Sequence, residues 1–403
     1  MTTLPWRRTA ATLSFGLLLA SSVAHGQTTW PTKQWPTASP QAVGLNVKVL
    51  DSIDSEIRSG RYGLVDRLLV IRHGSIAYDR SYRQNYDSAY ADSVHVNGPL
   101  NPHDVTGPYN YFNSWWHPYY QRGDLHSLQS VTKTMTSIVM GIATTRGEYP
   151  SLDRTVLSFF DTTRVANIDA RKRRMTLRHL VTMTSGLDWN ESVPYADPRN
   201  TATKLEESSD WVKFVIDLPM AQEPGASFVY NSGATVLLGE VFKRATGKDI
   251  EEYAARYLFA PLGITRWFWK RSPMGLADTE GGLYLEARDL AKIWYVFLHD
   301  GQWEGKQIVS REWVKASVSP AIATSSAPGA PKYGLAWWLY QNPRDPSKLV
   351  WSGSGFGGQV PMIVPEDDLL VVFYAWNILP GKPVLPRAKI LERISAGVTD
   401  RKK

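Results

Sequence analysis

The chain has 403 residues, of which 43% are hydrophobic and 21% charged, and its formal net charge is +7. This composition is typical of a globular protein with a sizeable core and excludes a disordered chain. Lysine and arginine are scattered among acidic residues, so no basic run of the kind that binds nucleic acid is present and no nucleic-acid partner is expected. Cysteine is absent, which excludes disulfides, thiolate catalysis and zinc–thiolate sites.

Residues 1–26 have the features of a secretory signal peptide. Two arginines precede a short apolar stretch over residues 10–20, and small residues offer cleavage after Gly26 or after Ala24. The apolar stretch is too short for an anchor, and no other segment reaches 18 uninterrupted apolar residues, so we expect no stable membrane span. Export without cysteine suits a bacterial periplasm or the external medium, so the predicted location is periplasmic or secreted.

Strand patterns occur towards both ends of the chain, with helices between them. We therefore predict an α/β (α+β) fold in which an antiparallel sheet, flanked by helices, is built from both termini and a mainly helical lobe is inserted. The α/β lobe is expected to cover 27–135 and 280–398, and the helical lobe 136–279. A helix is predicted from about Leu283 to Leu298.

Residues 84–122 hold nine aromatic side chains but keep no period of 2 or 3.6. We expect a long irregular insertion that is packed by its own aromatics. Long loops of this kind are often functional, so the insertion either walls a substrate cleft or acts as a structural cap.

A serine and a lysine three residues apart stand at the start of a predicted helix. Apolar residues after Ser130 recur at helical spacing, at Met135, Ile138 and Ile142. One turn separates the two polar residues, so the amine of Lys133 can reach the Ser130 hydroxyl. A serine hydroxyl needs an adjacent base to become a nucleophile, and a lysine whose pKa is lowered by burial can serve. The helix N-terminus adds N–H groups where an oxyanion can form.

The S-x-x-K spacing occurs by chance in many chains of this length, and two later segments add to it. Pro224-Gly225 sets a turn ahead of Tyr230-Asn231-Ser232, which precedes a helix predicted over 233–246. A tyrosine beside a lysine ammonium can have a lowered phenol pKa, act as a base and return the proton to a leaving group. Trp351-Ser352-Gly353-Ser354 comes before a strand predicted over 360–364, where a glycine-rich backbone can approach a ligand and supply an oxyanion donor.

In this order the three motifs resemble the penicillin-recognising serine hydrolase family, over about residues 40–395. The family includes class C β-lactamases, D-alanyl-D-alanine peptidases, 6-aminohexanoate-dimer hydrolase and several esterases. Its motif order is S-x-x-K, then Y-x-N or Y-x-S, then K-T-G or H/W-x-G ahead of a strand. Further matching segments are 176–187, 253–264, Gly281-Gly282-Leu283 and 333–338. The resemblance implies a β-lactamase-like fold.

The resemblance also implies a role for each matching residue. Ser130 is the expected nucleophile, with Lys133 and Tyr230 as its proton relay. The backbone N–H groups of Ser130 and Ser354 are the expected oxyanion hole. A small-molecule substrate is the implied partner, and neither a metal nor a cofactor is implied. The residues expected to contact the substrate are Ser232, Trp351 and Gly353.

Two positions depart from the β-lactamase pattern. Ser232 stands where β-lactamases carry asparagine, a form similar to the amide hydrolase and esterase branches. Trp351 stands where a lysine or histidine helps to hold a substrate carboxylate, so antibiotic hydrolysis is disfavoured. That alignment allows a one-residue gap before Pro365, and Gly355-Phe356-Gly357 is the alternative register of the third motif.

The prediction is an exported serine hydrolase that cleaves an ester or amide through an acyl-enzyme on Ser130. The alternative within the family is a β-lactamase or a peptidoglycan D-alanyl-D-alanine peptidase. The third hypothesis is a non-catalytic relative that serves as a binding module. The presence of Ser130, Lys133 and Tyr230 argues against it.

Overall fold

The computed structural model describes residues 1–2, 30–89, 123–195, 197–378 and 383–400. Most of the predicted signal peptide and most of the aromatic-rich insertion, residues 90–122, lie outside the described residues, so both stay predictions. Within the described ranges, no helix has the length and apolar character needed to cross a membrane.

An eight-stranded antiparallel sheet forms the centre of the fold, with two small sheets beside it. The strands in chain order are β1 (Val65–Arg72), β2 (Ser75–Ser81), β3 (His126–Ser127), β4 (Phe268–Trp269), β5 (Leu283–Leu285), β6 (Gln302–Trp303), β7 (Lys306–Gln307), β8 (Ile322–Ala323), β9 (Lys332–Tyr333), β10 (Trp338–Gln341), β11 (Leu349–Ser352), β12 (Val360–Val364) and β13 (Leu369–Ala375). The main sheet has the spatial order β2-β1-β13-β12-β11-β10-β9-β8. The first strands thus pair with the last one, and both ends of the chain build the sheet, as predicted.

The helices lie on both sides of this sheet. They are α1 (Val47–Arg58), α2 (Tyr86–Ala89), α3 (Val131–Thr145), α4 (Ala170–Arg174), α5 (Leu177–Val181), α6 (Thr201–Glu207), α7 (Trp211–Asp217), α8 (Ser232–Thr246), α9 (Ile250–Ala254), α10 (Ala287–Leu298), α11 (Arg311–Ser317) and α12 (Arg387–Ala396). A π-helical turn over Ala255–Phe259 continues α9. Short 3-10 turns lie at Gln41–Val43, Val156–Phe159, Thr162–Arg164 and Pro365–Asp367.

The two faces of β13 belong to two different cores. Leu370 and Val372 pack in the core that contains α3, α8 and α10, whereas Leu369 and Val371 pack in the core that contains α1 and α12. Successive side chains of a strand point to opposite faces, so a continuous apolar run indicates a strand that is covered on both sides. The sheet therefore forms the middle layer of the fold. Its face towards the larger core shares that core with α3 and α8, the helices that begin at the Ser130 and Tyr230 motifs.

The predicted helix from about Leu283 to Leu298 is wrong in its first part. Leu283–Leu285 is strand β5, paired with β3 and β4, and the helix begins only at Ala287. The pairing places β5 beside β3, three residues before Ser130, and this brings the Gly281-Gly282 segment to the start of α3.

Candidate active site

Ser130 lies at the N-terminal end of α3, at the end of a tight turn that follows β3. Gln129 has a positive φ of 46° and Ser130 caps the helix with φ −61°. The turn is closed by hydrogen bonds from the N–H groups of Val131 and Thr132 to the carbonyls of Leu128 and Gln129, at 3.1 and 2.8 Å. Ser130 is partly exposed, whereas the thirteen residues after it are buried. Ser130 is therefore the polar residue at the start of this helix that remains partly exposed.

The Lys133 amine is buried and has three hydrogen-bond acceptors. Its Nζ donates to the Ser130 hydroxyl at 2.9 Å, and to the Glu280 carbonyl and carboxylate oxygens at 2.7 and 3.2 Å. An ammonium has three N–H donors, so this geometry uses all of them. Burial lowers the pKa of Lys133, but the charges of Tyr230, Glu280 and Glu191 outweigh burial and raise its pKa above the ordinary value. The expectation that burial lowers this pKa is wrong, because burial comes with carboxylates.

Tyr230 ends the segment that leads into α8, whose first turn is capped by Asn231. The Asn231 side chain accepts a hydrogen bond from the Ala234 N–H at 2.9 Å, which fixes the entry to the helix. The Lys133 Nζ lies 5.2 Å from the centre of the Tyr230 ring, and the phenol hydrogen-bonds with the Ser130 hydroxyl. Burial raises the pKa of Tyr230 more than the Lys133 charge lowers it. Hydroxyl, amine and phenol thus meet as predicted, although the phenol pKa moves in the opposite direction to the one expected.

Ser232 is buried and bound to an acid that the sequence did not single out. Its hydroxyl and its N–H donate to the Glu191 carboxylate at 2.7 and 2.9 Å. The same carboxylate accepts hydrogen bonds from the Trp189 indole at 2.9 Å and from the Tyr195 phenol at 3.2 Å. Burial raises the pKa of Glu191, and the Lys133 charge opposes that rise. Ser232 thus ties α8 to the loop after α5.

The glycine-rich third motif lies against the turn that carries Ser130. A Cβ atom added to Gly353 would lie 3.0 Å from the Val131 side chain, and one added to Gly355 would lie 2.5 Å from the Leu128 carbonyl oxygen. Both possible registers of this motif are therefore close to the nucleophile turn, and only glycine permits the approach at Gly355.

The backbone N–H groups along this motif differ in their hydrogen bonding. Gly353 donates to a carbonyl on β12 at 3.1 Å, and Gly355 donates to the Gln359 carbonyl at 2.8 Å. Within the ranges that the structure describes, the N–H groups of Ser354 and Ser130 donate to no protein acceptor. These two groups are the ones predicted as oxyanion donors, and they have a free N–H each.

Arg387 adds a positive charge to this region, which the sequence alone did not reveal. Its guanidinium donates to the Ser354 hydroxyl and to the Tyr340 phenol, both at 2.7 Å, and lies 5.0 Å from the centre of the Tyr340 ring. Among the described residues, Arg387 has no acidic partner within 4.0 Å. Trp351 sits opposite Leu339 in the sheet and packs against the larger core. The cation of this region therefore comes from the start of α12 and not from Trp351.

Aromatic rings continue from Tyr230 onto strands β9 and β10 of the main sheet. Trp338 lies 5.9 Å from Tyr230 and 6.3 Å from Tyr340, between ring centres, and meets Tyr333 and Phe228 edge-on at 5.2 and 6.0 Å. All of these rings except Tyr333 are partly exposed. In the described ranges no group of three or more His, Asp or Glu side chains is arranged to hold a metal ion.

Comparison with known proteins identifies the family of the chain. The sequence model of the Beta-lactamase family matches residues 58–393. The chain belongs to the Beta-lactamase family. The fold predicted from the resemblance is confirmed, because solved structures of this family superpose on most of the chain.

Two curated proteins and one solved structure show the range of these Beta-lactamase family relatives. Monacolin J acid methylbutanoyltransferase of Aspergillus terreus is 31% identical over 36% of this chain and 37% of its own length. The 6-aminohexanoate-dimer hydrolase of Paenarthrobacter ureafaciens is 26% identical over 63% of this chain and 68% of its own length. A Bacillus anthracis structure provisionally described as a 6-aminohexanoate-dimer hydrolase has a TM-score of 0.66 and 17% identity, covering 92% of this chain and 89% of the other. The chain covers little more than a third of the length of the first of these curated relatives, and together the relatives support the predicted serine hydrolase.

The Glu191 contacts give a test of what Ser232 does. We expect Ser232→Ala to lower the free energy of unfolding by about 1–3 kcal/mol, because a buried carboxylate loses a donor. KM should stay close to the wild-type value, because the hydroxyl is already bonded to Glu191. Urea unfolding and steady-state kinetics measure both, with Ser347→Ala at an exposed position as the control. A large rise in KM with unchanged stability would show that Ser232 contacts the substrate instead.

Proposed function

We propose that the protein is an exported hydrolase that cleaves an ester or amide bond through an acyl-enzyme on Ser130, with Lys133 and Tyr230 as its proton relay. One observation carries the proposal. Ser130 lies partly exposed at the N-terminus of α3. Its hydroxyl accepts a hydrogen bond from Lys133 at 2.9 Å and is also hydrogen-bonded to the Tyr230 phenol. These are the contacts that a serine needs to lose its proton while it attacks a carbonyl carbon.

The proton moves within the Lys133–Tyr230 pair. The resting pair carries an ammonium and a phenol, and loss of one proton from the pair creates the base. The Ser130 proton then replaces the lost one as Oγ bonds to the carbonyl carbon. Tyr230 returns a proton to the leaving alcohol or amine when the scissile bond breaks, and water hydrolyses the acyl-enzyme. The pKa values of Lys133 and Tyr230 are both raised, so the pair loses its proton only at a higher pH. The acidic limb of the pH–rate profile should therefore be shifted towards alkaline pH.

The tetrahedral intermediate needs hydrogen-bond donors for its oxyanion. The N–H groups of Ser130 and Ser354 are suited to this role, since neither donates to a protein acceptor in the described part of the chain. Loss of one such donor typically removes about 2.7–4 kcal/mol of transition-state stabilisation.

The aromatic rings around Trp338 favour a substrate with a flat apolar group. Partly exposed rings beside Tyr230 offer stacking surface next to the reacting hydroxyl. The two curated relatives are named as a hydrolase of an aminohexanoate dimer and as an acyltransferase, and both kinds of reaction fit an acyl-enzyme.

The alternative function is a β-lactamase or a D-alanyl-D-alanine peptidase. Trp351 argues against it, because an indole has no charge for a substrate carboxylate. The guanidinium of Arg387, 2.7 Å from the Ser354 hydroxyl, is the observation that favours it.

Removal of the nucleophile tests the proposed reaction. Ser130→Ala should reduce turnover by on the order of 10^6-fold, the loss seen when a serine hydrolase loses its nucleophile. Ser137→Ala is the matched control, because it removes a buried hydroxyl of the same helix that has no hydrogen-bond partner among the described residues. Both variants are assayed on p-nitrophenyl esters, the linear 6-aminohexanoate dimer and a chromogenic cephalosporin. The substrate class that the wild type turns over decides between esterase, amidase and β-lactamase, and wild-type rates in Ser130→Ala would refute the assignment.

Replacement of Trp338, the ring that contacts the other aromatic side chains of this group, tests the substrate preference. Trp338→Ala should raise KM for p-nitrophenyl phenylacetate by about 3- to 10-fold, the value of one aromatic contact. KM for p-nitrophenyl acetate should change little, because an acetyl group is too small to stack. Trp338→Phe keeps a ring and should keep most of the preference. Equal changes for both esters would mean that Trp338 supports the fold and does not bind the acyl group.

Export is tested by the N-terminus of the expressed protein. When the whole chain is produced in a bacterium, we expect a periplasmic or secreted form that begins at Gln27 or His25, after removal of the apolar stretch. Leu18→Arg places a charge in that stretch and should block processing. Mass spectrometry of each cell fraction measures both results, and recovery of the wild-type chain only in the cytosol with its first 24 residues intact would contradict export.

A further inference from the structure

Two buried glutamates lie next to each other behind the Lys133 amine. Glu280 bonds Lys133 through its backbone carbonyl and its carboxylate, at 2.7 and 3.2 Å. Glu206, on α6, is hydrogen-bonded to the Glu280 side chain. Their exposed fractions are 5% for Glu206 and 7% for Glu280. This pair is not part of any motif that the sequence suggested, and the proposed proton relay does not use it directly.

A hydrogen bond between two carboxyl groups requires a proton on one of them. An ionised carboxylate only accepts, and two ionised carboxylates in contact repel each other strongly. Lys133 and Lys270 hold the pKa of Glu280 below its ordinary value, although burial alone would raise it. Burial raises the pKa of Glu206 well above its ordinary value. Glu280 accepts a hydrogen bond from the Lys133 ammonium at 3.2 Å, so the negative charge resides on Glu280 and the proton resides on Glu206.

The charged groups around the pair support this distribution. On one side, Lys270 is paired with Asp278 at 2.9 Å, and Asp278 also accepts the Glu280 N–H at 3.0 Å. On the other side lie Lys133, Glu191 and Tyr230. The two lysines already face the carboxylates of Asp278, Glu280 and Glu191, so a charge on Glu206 would add a fourth carboxylate to a cluster that already has more acids than lysines.

We propose that Glu206 and Glu280 act as one acid–carboxylate pair, in which the Glu206 acid donates to Glu280 and so positions the carboxylate that holds Lys133 against Ser130. The proposal rests on the proposed function of Lys133 in the relay. Glu206 is a positioning residue, because it acts through Glu280 and touches neither the nucleophile nor the relay. The pair explains why a carboxylate that lies within 3.2 Å of the relay lysine keeps one orientation without a second cation in contact with it.

Three Glu206 and Glu207 variants test the acid by kinetics. Glu206→Ala should slow fluorophosphonate labelling of Ser130 by at least about 10-fold, because Glu280 loses a buried donor. Glu206→Gln, whose amide donates the same hydrogen bond without charge, should restore most of the rate. Glu207→Gln, at the exposed neighbouring position on α6, is the control and should label like the wild type. A Glu206→Gln rate as low as that of Glu206→Ala would overturn the proposal.

The charge on Glu280 is tested by the pH dependence of the same labelling. Glu280→Gln removes the carboxylate that raises the pKa of Lys133, so the acidic limb of the rate should move to lower pH. An acidic limb at the wild-type pH in Glu280→Gln would mean that Glu280 does not set the charge state of the relay.

A spectroscopic measurement locates the proton without any activity. At neutral pH, the infrared difference between the wild type and Glu206→Gln should contain the C=O stretching band of one protonated carboxylic acid. The difference between the wild type and Glu207→Gln should lack it. Absence of the band from the first difference would overturn the proposal even if every variant were active. Its presence in a protein that fluorophosphonate never labels on Ser130 would leave the acid pair valid and refute the proposed function instead.

Discussion

The ammonium of Lys133 is the interaction on which the rest of the site depends. It is almost wholly buried, and a lone buried ammonium would be strongly disfavoured. Three acceptors compensate for the lost water, and one of them is the Ser130 hydroxyl. The other two come from Glu280, which the strand pairing of β5 with β3 brings beside the helix start. The nucleophile is therefore oriented by the same bonds that make burial of the charge tolerable.

The fold brings four distant segments to this amine. The turn after β3 carries Ser130, the segment before α8 carries Tyr230, the segment before β5 carries Glu280, and the loop after β11 carries Ser354. The main sheet makes this possible because β13 is buried on both faces and holds the N-terminal and C-terminal strands in one register. The helices of the larger core then pack against one face of this sheet, and the site lies at the N-terminal ends of α3 and α8.

The sequence predicts the sheet, its origin from both termini and the residues that meet at the site. These succeed because each depends on local spacing: an alternating or continuous apolar run, a helix turn between Ser130 and Lys133, and a Pro-Gly turn ahead of Tyr230. Glu191, Glu206, Glu280 and Arg387 were missed for the opposite reason. Each is a single charged residue without a local pattern, and only tertiary packing brings it to the site. The strand β5 was missed because three apolar residues that run into a helix have no period of their own.

The raised pKa of Lys133 shows that burial alone does not determine the direction of a pKa shift. Burial alone does predict a lower pKa for Lys133, and it remains the largest influence on that group. The prediction fails because an amine is buried in a folded protein only when acceptors are buried with it, and carboxylates among those acceptors reverse the sign. In the resting site Lys133 is therefore a protonated ammonium beside Glu280 and Glu191, and not a neutral amine base. Lys133 and Tyr230 are better treated as one titrating pair. The surrounding carboxylates influence how many protons this pair binds at a given pH.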